Sequence, residues 1–209
     1  MSTETGLAAT RERKSRIFER HADDWYAEPS WCWTRLFERM GFDRRAKIHD
    51  PACGGGAAVE AACASGYAAS GSDIEPRWLG KDDLAGTYAV DGFANGMRIA
   101  QADVIVSNPP FKLARPFAAA AIEAADRVCL LLPATWACGD TKARWLAGTP
   151  LSHLLFLTPR PTMMPGLGLL PGQKLGGGRK DFAIFVWSRG HDGPAEIGWL
   201  HRDTVEVTP

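Results

Sequence analysis

Asp103-Val104-Ile105-Val106-Ser107-Asn108-Pro109-Pro110-Phe111 is an apolar run that ends on two consecutive prolines. The run predicts a buried strand over Val104–Ser107. Two prolines can neither continue a strand nor enter a helix interior, so the chain must turn sharply after Ser107. The turn places the Asn108 amide, two carbonyls without competing N–H groups and the Phe111 ring at a strand end. In an open parallel sheet, ligands bind at the carboxyl ends of strands. The Asn108 amide oxygen and the Pro109 carbonyl can accept both hydrogens of an exocyclic amino group, and Phe111 can stack on the heterocycle carrying it. The plainer alternative is a structural Pro-Pro turn.

Outward from this run, strand-like and helix-like stretches alternate. Strands are expected at Ala46–Asp50, Tyr67–Asp73, Thr87–Val90, Val128–Leu132, Leu151–Leu157 and Phe182–Trp187, and alanine-rich helices at Ala57–Ser65 and around residues 118–125. This alternation argues for an α/β fold on a parallel sheet. Upstream, Trp33, Leu36, Phe37 and Met40 share one helical face, with Ser30 as the expected N-cap and Gly41 as the stop. Residues 1–23 read as a basic tail and helix, 24–190 as the catalytic domain and 191–209 as a C-terminal tail. The Gly/Pro-rich stretch 159–180 is long for a connection without secondary structure, which points to function or mobility.

Asp50-Pro51-Ala52-Cys53-Gly54-Gly55-Gly56 links the first sheet strand directly to a helix. Glycines there permit a tight turn and let a ligand approach the backbone. No Gly-Lys-Ser/Thr follows and Val59 stands where a third dinucleotide glycine would fall, so a phosphate-binding loop is disfavoured. About 20 residues on, Asp73 ends the second strand, where an acid can bind ribose hydroxyls; the alternative is a solvated strand-end aspartate.

The chain has 209 residues, 45% apolar and 23% charged, with a net charge of zero. This suits one soluble domain and supplies no global basic field for nucleic acid, so any such contact must be local. No signal-peptide pattern and no stretch fit to cross a membrane is read from the sequence. The five cysteines are odd in number and contain no CxxC pair, which argues against a zinc site or disulfide framework and for a reducing cytoplasmic location. No metal is expected.

Asn108-Pro109-Pro110-Phe111 resembles the (N/D/S)PP(Y/F) motif of amino-group methyltransferases that use S-adenosylmethionine, and Asp50–Gly56 resembles the DPxCGxG motif I of adenine-N6 DNA methyltransferases. Trp25-Tyr26-Ala27-Glu28-Pro29-Ser30 looks like motif X. Together the order resembles the gamma arrangement over roughly residues 24–190, and the compact size resembles phage-type or orphan modification enzymes. The resemblance implies a Rossmann-like class I methyltransferase fold: a seven-stranded, mostly parallel sheet with an antiparallel last strand, Phe182–Trp187, and helices on both faces. It implies catalysis by Asn108, Pro109, Pro110 and Phe111. The cofactor would lie against Asp50, Pro51, Ala52, Cys53, Gly54, Gly56 and Asn108. Asp73 would hold its ribose and Ile74 its adenine ring. Asp91 falls where the family often contacts the adenine amino group, or is a turn aspartate. Tyr26, Pro29 and Ser30 would wall the methionine end, or belong to an aromatic cluster over the first helix. DNA is the implied substrate, with a flipped base on Phe111 and backbone contacts from Lys174, Arg179 and Lys180. No room exists for a large target-recognition region, so recognition is short, relaxed or supplied by a partner subunit. Competing readings are guanine-N2 methylation of RNA, glutamine methylation of a protein, and a non-catalytic nucleic-acid-binding subunit.

Overall fold

The computed structural model describes residues 25–78, 87–165, 178 and 180–203. The expected basic tail and helix of residues 1–23, together with Lys174 and Arg179, lie outside the described residues.

In chain order the elements are β1 (Tyr26–Ala27), α1 (Trp31–Met40), β2 (Lys47–Asp50), α2 (Ala57–Ala64), β3 (Ala68–Asp73), β4 (Thr87–Val90), α3 (Phe93–Ala100), β5 (Val104–Ser107), α4 (Ala114–Ala124), β6 (Arg127–Pro133), α5 (Asp140–Ala147), β7 (Leu151–Thr158), β8 (Met164–Pro165), β9 (Phe182–Ser188) and β10 (Glu196–His201). Eight strands form one sheet in the order β10-β7-β9-β6-β5-β2-β3-β4. All neighbours pair in parallel except β9, which runs antiparallel to both β6 and β7.

The α/β class, the parallel body and the reversed Phe182 strand therefore stand as expected. Two details change. The sheet has eight strands rather than seven, and the last strand in sequence is β10, parallel to β7. It occupies part of the stretch 191–209 that the sequence suggested was a tail. Its partner β7 begins some forty residues earlier, and as an edge strand it buries only Leu200 while exposing Ile197 and Trp199. Such a strand carries little of the apolar signal by which buried strands are found. α3 and α5 were likewise not foreseen; α3 contains Asn95 and Gly96, both weak helix formers.

Side chains of the strands alternate between two cores. Ile48, Val104, Val106, Cys129, Leu131, Ile184 and Val186 face α1 and α2. Ile105, Val128, Leu130, Leu132, Ala183, Phe185 and Trp187 face α3, α4 and α5. The central strands are buried on both sides, which is why they read as unbroken apolar runs. Helix α1 buries Trp33, Leu36 and Phe37 as its spacing predicts, and Gly41 ends it in the left-handed conformation with its N–H on the Phe37 carbonyl. Ser30 starts the helix without a side-chain cap; its carbonyl, not its hydroxyl, receives the Thr34 N–H. A separate two-stranded ribbon pairs β1 antiparallel to β8. No helix among the described residues is long and apolar enough to cross a membrane.

Candidate active site

Four adjacent parallel strands, β5, β2, β3 and β4, deliver their carboxyl ends to one edge of the sheet. Asn108 follows β5, Asp50 ends β2, Asp73 ends β3 and Asp91 follows β4. The spaced motifs of the sequence thus converge because each sits at the same end of a neighbouring strand.

The glycine loop after β2 makes a close turn. Gly54 and Gly56 have φ of +52° and +87°, a region that side chains disfavour. Two indoles cover them: a Cβ on Gly54 would fall 2.6 Å from Trp25 Nε1, and one on Gly56 would fall 2.3 Å from Trp78. Trp78 is buried, and its indole N–H has no hydrogen-bond partner among the described residues. Pro51 and Cys53 are buried and Ala52 half-buried; the Ala52 N–H donates to Asp50 Oδ1 at 3.0 Å.

Asp50 is 2% exposed and Asp73 3% exposed. Burial pushes the Asp50 carboxyl well above the usual carboxylate range. The Ser107 hydroxyl and the Ala52 N–H oppose the rise, while the charges of Glu28 and Asp73 add to it. Ser107 Oγ approaches Asp50 without completing a hydrogen bond. Asp73 is not a solvated strand end. Its Oδ2 accepts the Gly54 N–H at 2.8 Å, clamping the glycine loop, while Oδ1 accepts the Glu75 N–H at 3.1 Å and pairs with Arg77. The Arg77 guanidinium also lies over the Trp25 ring at 5.0 Å. Beyond Asp73, Ile74 and Val90 are 70% and 56% exposed, an apolar step on the rim of the site. The Asp91 carboxylate accepts the Gly92 N–H at 2.8 Å and is bonded to Asn95, so it opens α3 as a turn aspartate does.

At the β5 end, Pro109 is buried and Phe111 half-buried. Phe111 opens a short 3-10 turn and packs on Phe182 with ring centroids 6.0 Å apart. The Leu113 N–H takes the Pro110 carbonyl at 2.8 Å, so of the two proline carbonyls only that of Pro109 accepts no bond among the described residues. Asn108 Nδ2 donates to the Tyr26 carbonyl and to Glu28 Oε2, each at 2.8 Å. With both amide hydrogens engaged, Oδ1 is turned the other way as an acceptor. The β1 strap therefore meets the site through the Tyr26 backbone. Pro29 is half-buried and Ser30 exposed, and neither makes a side-chain bond to the loop among the described residues. Lys180 is exposed beside β9.

Glu28, Trp25, Arg77 and Trp78 were not singled out from sequence, although Glu28 is the lone carboxylate of its aromatic stretch. His49, on β2, bonds Ser70 and Ser72 through its two ring nitrogens at 2.8 and 3.2 Å, and burial lowers its pKa to about 4. It is a neutral, buried residue held between two β3 serines.

No family model matches the sequence, and no curated protein matches it. Solved structures do. A Pyrococcus horikoshii protein provisionally named an RNA methyltransferase superposes with TM-score 0.57 at 17% identity, over 76% of this chain and 82% of that one. The modification subunit of a provisionally assigned type I restriction enzyme from Vibrio vulnificus gives 0.58 at 14% identity, over 88% of this chain. This chain spans 48% of that subunit. Magnesium protoporphyrin IX methyltransferase from Synechocystis, solved with S-adenosylmethionine bound, gives 0.52 at 15% identity, over 77% and 78% of the two chains. At identities this low the superpositions show the fold alone, the Rossmann-like fold of these methyltransferases.

Proposed function

We propose that this chain transfers a methyl group from S-adenosylmethionine to the exocyclic N6 amino group of adenine in DNA. One observation carries the reading: the Asn108 amide is held with both hydrogens turned inward. Its Oδ1 and the Pro109 carbonyl are then left as two acceptors at the sheet edge, next to the glycine loop. An exocyclic amino group offers two hydrogens to such a pair. Accepting both would favour a pyramidal nitrogen with an available lone pair. Catalysis by positioning and by electrostatic complementarity follows.

The residues fit the cofactor in charge and shape. Asp50 is a buried acid beside the loop without a cationic partner among the described residues, and a cationic sulfonium seated there would favour its ionised form. Asp50, Ala52, Gly54 and Gly56 would line its methionine part, walled by Tyr26, Pro29 and Ser30. Asp73 would hold the ribose once Arg77 moves off it, and Ile74 and Val90 would flank the adenine ring. The bound cofactor supplies an electrophilic methyl carbon, with the electrons of the broken carbon–sulfur bond returning to sulfur. The surplus proton leaves the amino nitrogen to water, so a strong base is not needed.

Adenine in DNA is preferred because Asp50-Pro51-Ala52-Cys53-Gly54 resembles the adenine-N6 version of motif I. Lys180, with Lys174 and Arg179, would hold the phosphate backbone, and a partner subunit would supply target recognition. The test is transfer of labelled methyl to unmethylated genomic DNA, followed by mass spectrometry of the nucleosides. N6-methyladenine is expected. Label found only in RNA or protein would replace the acceptor, and no cofactor binding by calorimetry would end the methyltransferase reading.

A further inference from the structure

We propose that Glu28 is a positioning residue that locks the Asn108 amide in its base-accepting orientation, an inference that rests on the amino-methyltransferase reading above. Asparagine is nearly symmetric in shape, and its two ends differ only in hydrogen-bonding sense. An amide turned by 180° would present N–H groups to the substrate amino group and repel it. Something must therefore select one rotamer before substrate arrives.

Two acceptors do so. Asn108 Nδ2 lies 2.8 Å from the Tyr26 carbonyl and 2.8 Å from Glu28 Oε2. Turned over, Asn108 would set its oxygen against a carbonyl and a carboxylate. The carboxylate is itself fixed, because its other oxygen accepts the Trp33 indole N–H at 2.5 Å. Trp33 is 0% exposed on α1. A relay thus runs from the core through Trp33 and Glu28 to Asn108, joining segments eighty residues apart. Both donors oppose the rise that burial imposes on the Glu28 carboxyl, so both favour its acceptor-only, ionised form. The charge also polarises the amide it holds, which strengthens Oδ1 as an acceptor.

Glutamine at this position keeps the shape but has one acceptor atom for two donors. With Trp33 rigid, a glutamine would turn its oxygen to the indole and its amine to Asn108, forcing the Asn108 amide over. Removing the indole N–H would free that oxygen to return to Asn108. The experiment compares Glu28→Gln, Trp33→Phe and the double variant. For Glu28→Gln, kcat should fall about 100-fold while KM for S-adenosylmethionine stays within about threefold. The double variant should recover to within about tenfold of Trp33→Phe alone. Wild-type kcat in Glu28→Gln, or a double variant no better than Glu28→Gln, overturns the lock. Should the wild-type protein methylate nothing, the functional reading fails, and NMR then decides the lock alone. The Asn108 side-chain amide resonances, assigned by their loss in Asn108→Asp, should shift in Glu28→Gln and return in the double variant. Resonances unmoved by Glu28→Gln would overturn it.

Discussion

The two halves of the sheet are built on opposite terms. In the β6-β9-β7 block, β9 is buried along its whole length between two antiparallel partners, and Leu130, Leu131, Leu132, Ile184 and Phe185 are wholly enclosed. In the β5-β2-β3-β4 half, the strand ends bury Asp50 and Asp73 and half-bury the Asn108 amide, and the turn after β2 holds two glycines at positive φ. One half gains apolar burial along most of its length. The other encloses ionisable and polar groups, which lowers stability and raises reactivity. Stability and chemistry are therefore separable here, and substitutions should divide the same way.

The largest effect is expected in the apolar block. Phe185→Ala should destabilise the fold by about 3–5 kcal/mol, read as a lower denaturant midpoint; a loss below about 1 kcal/mol would mean that the block is not the stabilising half. Next, Asn108→Ala should lower methyl transfer by about 100- to 1,000-fold with little change in cofactor affinity or melting temperature. Normal turnover would remove Asn108 as the amino-group acceptor. Third, Arg77→Ala leaves Asp73 Oδ1 with only the Glu75 N–H and makes the site more negative, so S-adenosylmethionine should bind about 3- to 10-fold tighter by calorimetry. Weaker binding would show that Arg77 holds the ligand instead of competing with it. The smallest effect concerns pH. His49 is kept neutral with its pKa lowered to about 4, below the ordinary value. Its contribution is full above about pH 6.5 and is lost as pH falls toward 4, at no more than about 1.4 kcal/mol per pH unit. Wild-type melting temperature should therefore drop more steeply than that of His49→Asn from pH 6.5 to 5.5. Parallel curves would place His49 in contact with water.

The sequence made the second half unusually legible. Each strand end there carries a residue whose type departs from the run before it: Asp after Ile48-His49, Asp after Gly71-Ser72, Asn-Pro-Pro after Val106-Ser107. Local pattern placed those strands, and parallel pairing brought their ends together. What stayed hidden depends on pairing across long separations. β10 joins β7 at the exposed edge, where one face is wet and the apolar run is short. Glu28 meets Asn108 across eighty residues, and no periodicity reports such a contact. Arg77 shares a turn with Asp73, yet a basic residue there reads from sequence as a surface charge. The outline of the site was written locally; the groups that hold and occupy its residues were not.

The indoles over the glycine loop have an optical consequence. Of the eight tryptophans in the chain, Trp33, Trp136 and Trp187 are locked in the cores, where a ligand at the sheet edge leaves their surroundings unchanged. Trp25 and Trp78 instead lie against Gly54 and Gly56, and a molecule seated on that loop must displace them or stack on them. Their emission wavelength and intensity would shift with occupancy, so the unlabelled protein carries its own fluorescent gauge of what binds at the loop.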